Sequence, residues 1–266
     1  MWIRAMVVAA AAGTASADNY VETFTGGSNA GGWWWGTGGE VIEGSGGNPG
    51  EFLRDSFLDT FAPQLGTLLG KASAFTGDFA SRNVTKVGVD LKLFHVDFSA
   101  EGRPLSLILR STNGTPEDFD DDWGAYVVGD ANIPLVGQGW LSYEFEVPSQ
   151  SATLPAGWKI IQYGPTSPAN PEWSDLITSV DQVVFFYGDP DFFFIFQMWD
   201  VGADNVRIST GCKPDCEGDG DLDVFDFLCF QGKFAQQDPY ADFEGDGDWD
   251  VFDFLAFQGA YANGCD

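Results

Sequence analysis

The sequence predicts a mainly-β protein, a β-sandwich over residues 18–210, followed by a small helical unit over residues 211–266. Three observations carry that expectation. Short runs of alternating apolar and polar residues, broken by Gly, Pro, Asn and Asp, fill most of the first 210 positions. The tail contains an internal duplication. All four cysteines and 14 of the 40 acidic residues fall between Cys212 and Asp266, against only Lys213 and Lys233.

At the N-terminus, residues 1–17 have the pattern of a signal peptide. Arg4 gives the positive start, Ala5 to Ala12 an apolar run, and Ala15-Ser16-Ala17 a small-residue cleavage site before Asp18. Export to an extracellular or cell-surface location follows, with disulfides expected in the cysteine-bearing tail. No other stretch reaches the roughly 18 apolar residues that span a bilayer. A net charge of −28 repels phosphate backbones, which excludes nucleic acid as a partner class.

Within 18–210, Val87, Val89, Leu91 and Leu93 share one face of a strand, and the pattern then shifts to Phe94, Val96 and Phe98, as at a bulge. Leu105, Leu107 and Leu109 alternate with Ser106, Ile108 and Arg110. Leu141, Tyr143, Phe145 and Val147 alternate with Ser142, Glu144 and Glu146. Val183, Phe185 and Tyr187 make a further strand, and Val206 with Ile208 the last. Phe192 to Phe196 reads as a buried strand, because exposing it would invite association. No stretch of helical period competes, and a jelly-roll-like sandwich is the natural architecture.

Residues 215–235 and 242–262 are identical at 16 of 21 positions, at an offset of 27. Each copy carries acids at loop positions 1, 3, 5, 7, 9 and 12 with Gly at 6. These are Asp215, Glu217, Asp219, Asp221, Asp223 and Asp226 with Gly220, then Asp242, Glu244, Asp246, Asp248, Asp250 and Asp253 with Gly247. That spacing is the EF-hand calcium loop, in which alternate side chains converge on one ion and position 7 offers its carbonyl. Six carboxylates in 12 residues repel one another until a divalent cation neutralises them, so two calcium ions and metal-coupled folding are expected. After each loop Phe227, Phe230 and Phe234, and Phe254, Phe257 and Tyr261, recur at helical spacing. Val224 with Leu228, and Val251 with Leu255, are expected to widen that stripe. Gly232 and Gly259 recur as if two helices approached closely there. Four cysteines allow three pairings. Cys216 and Cys229 are both replaced in the second copy (Phe243, Ala256), which favours Cys216–Cys229 and leaves Cys212–Cys265 to clasp the ends.

Two loop-then-helix repeats in about 50 residues, with Asp at position 12 and no helix ahead of the first loop, resemble a dockerin, a calcium-dependent module that docks an exported protein onto a cohesin receptor. The resemblance covers residues 212–265. It implies that the acids named above are the metal ligands. It also implies that Val224-Phe225 and Val251-Phe252, at loop positions 10 and 11, meet the partner. Cellulosomal dockerins carry small polar residues at those positions, so the apolar pairs here point to a more hydrophobic receptor than a standard cohesin.

The sandwich region resembles, more loosely, laminin B-type and carbohydrate-binding domains. The segments that carry this are Gly32-Trp33-Trp34-Trp35, Gly47-Asn48-Pro49-Gly50 leading to Leu53 and Asp55, Ala62-Pro63, and Asp204-Asn205-Val206-Arg207-Ile208. It implies a non-catalytic role with a polysaccharide or matrix ligand. Trp33, Trp34 and Trp35 either face a sugar or fill the core, and alternate members of a strand must point inward. The run Glu117, Asp118, Asp120, Asp121 and Asp122 ahead of Trp123 reads as a solvated acidic loop, against a second calcium site or the wall of a sugar cleft. His95, the single histidine, has a structural place on its strand, and no nucleophile–histidine–acid set assembles around it. An adaptor is therefore the leading functional reading. A polysaccharide hydrolase or lyase on the same docking unit is the alternative, since two carboxylates suffice for that chemistry, although no E-x-D-x-E run occurs.

Overall fold

The computed structural model describes residues 19–264, except positions 73, 99, 193, 218–220 and 245. Residues 1–17, expected to be a signal peptide, Asp219 and Cys265 lie outside the described residues. The chain divides into two compact units, Asn19–Thr210 and the segment from Gly211 onward.

The strands of the first unit are β1 (Tyr20–Glu22), β2 (Trp33–Trp34), β3 (Val41–Gly47), β4 (Gly50–Thr60), β5 (Gln64–Thr67), β6 (Val84–Val96), β7 (Pro104–Ser111), β8 (Trp123–Asn132), β9 (Leu141–Glu146), β10 (Trp158–Gln162), β11 (Gln182–Phe186) and β12 (Gln197–Thr210). They form two antiparallel sheets, ordered β3-β4-β12-β6-β9 with β1 also on β12, and β10-β8-β7-β11-β5-β2. This is the expected mainly-β sandwich. The expected inward residues meet between the sheets: Val87, Val89, Leu91, Leu105, Leu107, Leu109, Val183, Phe185 and Val206 are all fully buried. The predicted shift in β6 falls at Phe94, where Leu93 pairs with Val201 but His95 pairs with Asp200. One extra residue there turns Phe94 to the outer face.

Two sequence expectations need correction. Phe192 to Phe196 is not a buried strand. Its Phe192, Ile195 and Phe196 are exposed, and the ladder to β4 starts only at Gln197 opposite Thr60. A turn closed by Phe192 N–H on the Asp189 carbonyl keeps the segment off the sheet, and an unalternating apolar run has no polar face to turn outward. A helix was also missed, the five-residue α1 (Trp173–Ile177), which buries Trp173, Leu176 and Ile177. Two of the segments that carried the resemblance to carbohydrate-binding domains, Gly47–Gly50 and Asp204–Ile208, also hold the architecture together. Asp90 on β6 accepts from Asn48 Nδ2 (2.9 Å), Asn205 Nδ2 (2.8 Å), Ser142 Oγ (2.7 Å) and Arg207 Nη1 (3.1 Å), while Asn48 N–H donates to Asp204. This network fastens the β3–β4 turn to three other strands. Position 47 admits only glycine, because a Cβ there would lie 2.5 Å from the Glu51 carbonyl.

The second unit consists of two loop–helix repeats, with α2 (Val224–Ala235) and α3 (Val251–Asn263). Phe230 and Phe257 are fully buried and stack with centroids 4.1 Å apart, and Phe227, Phe234, Phe254 and Tyr261 pack around them. Cys216 and Cys229 are joined, with Cα atoms 5.8 Å apart. Cys212 is also disulfide-bonded, and its expected partner Cys265 is not among the described residues. Two expectations fail here. A Cβ at Gly232 or Gly259 would meet no atom within 4 Å, so the helices close on the phenylalanines, not on these glycines. Val224, Leu228, Val251 and Leu255 do not widen the buried stripe; all four are exposed. At about 100° per residue, positions 224, 225 and 228 fall opposite 227, 230 and 234.

Candidate functional site

Each helix of the second unit starts in a capping box formed by its own loop acids. Asp223 and Asp250 accept from the N–H of Phe225 and Phe252 (both 2.7 Å). The position-12 acids, Asp226 and Asp253, are fully buried. Asp253 Oδ1 accepts from the N–H of Phe243 (2.7 Å) and Glu244 (3.3 Å), and Oδ2 from that of Asp250 (2.9 Å). Asp226 makes the same three contacts with Cys216, Glu217 and Asp223. A single carboxylate thereby ties the beginning of each loop to its end. This role was not visible in the sequence, which suggested only a ligand one methylene shorter than Glu.

The remaining acids of the second loop turn partly onto the backbone. Asp242 accepts from Asp246 N–H (3.0 Å) and Gly247 N–H (2.9 Å), and Asp246 from Asp248 N–H (2.9 Å). Glu244 is pushed above the usual carboxylate range by partial desolvation and by the negative charges of Asp246, Asp250 and Asp253. Positions 3, 5, 9 and 12 therefore share one electrostatic neighbourhood. In the first loop Asp215, Glu217 and Asp221 also have partners. Among the described residues no three acids stand as they are in a geometry that holds a metal ion. The donor set itself, all oxygen, anionic and set around a tight turn with Gly247 at φ 87°, fits a hard divalent cation.

Directly beside these loops lie the residues expected to meet a partner. Val224, Phe225, Val251 and Phe252, with Leu228 and Leu255, are between 54% and 61% exposed. Each repeat thus displays the same Val-Phe-Leu surface at the start of its helix. They do not pack between the repeats.

On the sandwich, the tryptophan triplet is largely core. Trp33 and Trp35 are buried, Trp33 stacking on Phe185 with centroids 5.7 Å apart, and only Trp34 is half-buried. An aromatic cluster lies elsewhere, on the outer face of the first sheet, where Phe94 and Trp140 are half-buried and Phe52 is buried at 3% exposure. Phe52 stacks on Phe94 (5.7 Å) and meets Trp140 edge-on (5.2 Å), and Trp140 Nε1 donates to the Gly46 carbonyl (3.0 Å). Gly202 lets the rings settle, since a Cβ there would sit 2.9 Å from Phe94. The Arg54 guanidinium lies 4.5 Å from the Phe94 centroid and clasps Asp200 through Nε (2.8 Å) and Nη2 (2.7 Å). Next to this pair opens a cavity of about 490 Å³, bordered by Ser56, Phe57, His95 and Met198. His95 is exposed there, 3.3 Å from Asp97. Sequence reasoning missed this strip because its members come from β4, β6, β12 and the segment ahead of β9. The available signal was an aromatic residue on the polar side of β4 and another just past the bulge in β6.

The acidic run ahead of Trp123 is not simply solvated. Asp118 caps a short turn by accepting from Asp120 N–H (3.0 Å), Asp121 accepts from Thr115 Oγ1 (2.6 Å), and the buried Asp122 is ion-paired with Arg110.

Comparison with known proteins gives structural likeness only. No family model matches, and no curated protein matches. Among solved structures, the N-terminal modules of a Clostridium thermocellum endo-1,4-beta-D-xylanase complexed with xylohexaose align at TM-score 0.38 and 13% identity, over 71% of this chain and 28% of that one. A family 22 carbohydrate-binding module of Clostridium thermocellum aligns at 0.36 and 13%, over 72% and 92%. The family 30 module of a cellulosomal cellulase from the same organism aligns at 0.37 and 12%, over 73% and 92%. The fold class rests on this chain's own two sheets.

Proposed function

We propose that this chain is an exported adaptor. Its sandwich binds a polysaccharide at the half-buried Trp140 and Phe94, beside Arg54 and Asp200, and its C-terminal unit is a dockerin-like module that docks to a hydrophobic surface receptor. The observation that carries the reading is the Val-Phe-Leu surface, exposed identically in both repeats and adjoining both acidic loops. Six large apolar side chains held in water at equivalent positions are costly to solubility and suit a contact that covers them.

Two calcium ions would be held by Asp215, Glu217, Asp219, Asp221, Asp223 and Asp226, and by Asp242, Glu244, Asp246, Asp248, Asp250 and Asp253. Bound there, calcium neutralises the loop carboxylates. Asp226 and Asp253 hold the loop closed, Asp223 and Asp250 start the helices, and together they set the angle at which Phe225 and Phe252 face the receptor. On the sandwich, the half-buried Trp140 ring offers stacking to a sugar while Arg54 and Asp200 offer hydrogen bonds to hydroxyls.

The test is capture of surface proteins from the source organism by the full chain, with calcium and with EGTA. Phe225→Ala and Phe252→Ala singly should weaken capture slightly, because the other repeat remains. The double variant should lose it by several kcal/mol, as when a buried aromatic anchor is removed. Capture by the double variant at wild-type strength, or capture indifferent to EGTA, would refute the reading.

A further inference from the structure

A second concavity, of about 310 Å³, lies at one end of the sandwich among the β7–β8 connection, α1 and the segment ahead of it. We propose that it is a pocket for one neutral sugar residue, a chain end or a side branch, bound separately from the polymer on the sheet face. The proposal rests on the reading of the sandwich as a glycan binder.

The size is at the lower limit for small-ligand pockets, roughly 300 Å³, and corresponds to about ten water volumes. Its chemistry is that of a polyol site. The buried Trp123 forms the floor, with Ser111 beside it, and Asn113, Asn170, Asp175 and Ser179 form the rim. Among the described residues nothing gives the Asn170 amide, the Asp175 carboxylate or the Ser179 hydroxyl a hydrogen bond or ion pair. Two amides that both donate and accept, two hydroxyls and one acceptor carboxylate match the mixed donors and acceptors of vicinal sugar hydroxyls. One carboxylate is too few to hold a hard cation, which takes 6–8 oxygens. Asp175 on the rim, and Asp121, whose carboxylate accepts from Asn113 Nδ2 (3.4 Å), repel an anion.

The rim is also held in place. Asn113 is in the left-handed region (φ 50°), with its N–H on Ser111 Oγ (3.2 Å). Ser167 Oγ and Tyr163 N–H donate to the Asp122 carbonyl (2.5 and 3.1 Å), tying the two loops together, while the Asp122 side chain is locked to Arg110. Buried Trp173, Leu176 and Ile177 anchor α1 so that Asp175 and Ser179 remain at the surface. The acidic run noted in the sequence thus builds the frame of the pocket, and Trp123 its floor.

The experiment titrates the full chain with methyl glycosides of neutral hexoses and pentoses and of the matching uronic acids, read by ligand-observed NMR. Retention of the same chain on insoluble polysaccharide is measured in parallel. At least one neutral glycoside is expected to bind, more tightly than its uronic acid. Asp175→Asn and Asn170→Ala, both at exposed positions, should each weaken it at least tenfold. Polymer retention without glycoside binding, glycoside binding unchanged in both variants, or preference for the uronic acid would overturn the pocket while leaving the adaptor reading in place. No retention on any polymer and no glycoside binding would overturn both.

Discussion

Replacing Asp253 by alanine removes the acceptor of three N–H groups at once, those of Phe243 (2.7 Å), Glu244 (3.3 Å) and Asp250 (2.9 Å). The carboxylate is fully buried, so water does not replace it without opening the loop. A buried donor left without an acceptor costs about 1–3 kcal/mol, and more when the lost acceptor is charged. The Phe243 and Asp250 bonds are well formed and the Glu244 bond is marginal, so Asp253→Ala should destabilise the C-terminal unit by about 3–4 kcal/mol. Asp253→Asn keeps one carbonyl oxygen and should cost roughly half as much. The assay is urea unfolding of the full chain in saturating calcium, where the unit is folded, followed by circular dichroism at 222 nm. Among the described residues most of the helix lies in α2 and α3. Loss of a metal ligand would add to the loss of the three hydrogen bonds, so the estimate is a lower bound. An alanine variant within about 0.5 kcal/mol of wild type would refute the argument that this side chain ties the loop closed.

Gly232→Ala and Gly259→Ala should each stabilise the same unit by about 1 kcal/mol, because an added Cβ meets no atom within 4 Å; a lower urea midpoint in either variant would mean that the helices do close on these glycines. In the sandwich, burial alone would raise Asp90, but hydrogen bonds from Ser142, Asn205 and Asn48, with the charge of Arg207, hold its carboxyl below the usual aspartate range. Its stabilising contribution is therefore complete above the unfolded value of about 3.9 and is lost as pH falls through the lower folded value. Acid titration of Asp90→Asn should show lower stability at pH 7 and a shallower fall below about pH 4 than wild type; parallel curves would contradict the assignment.

Much of this fold was legible because period-two alternation maps directly onto a sheet with one buried face. Leu105, Leu107 and Leu109, or Val183 and Phe185, could be placed without knowing their partners. Even the irregularity at Phe94 left a trace, since a bulge reverses the alternation. The failures share a cause, too. Phe192, Ile195, Phe196, Val224 and Leu228 are apolar but exposed, and hydrophobicity alone does not say whether a side chain meets the core or waits for a partner. The duplication displayed the loop acids of the candidate site, whereas the second task of Asp226 and Asp253 depends on where the backbone of positions 2, 3 and 9 comes to lie. The aromatic strip depends on Phe52, Phe94 and Trp140 arriving from distant segments, which no local pattern records. The disulfide Cys216–Cys229 was reached by comparing the two copies, because paired residues are lost together.

The central claim, a calcium-organised docking module, is tested most directly by isothermal titration of calcium into the full chain after exhaustive chelation, with circular dichroism at 222 nm recorded along the titration. Two ions per chain, bound with a gain in helical signal that EGTA reverses, is the predicted result. Absence of binding heat at millimolar calcium, with a helical signal indifferent to both calcium and EGTA, would contradict it.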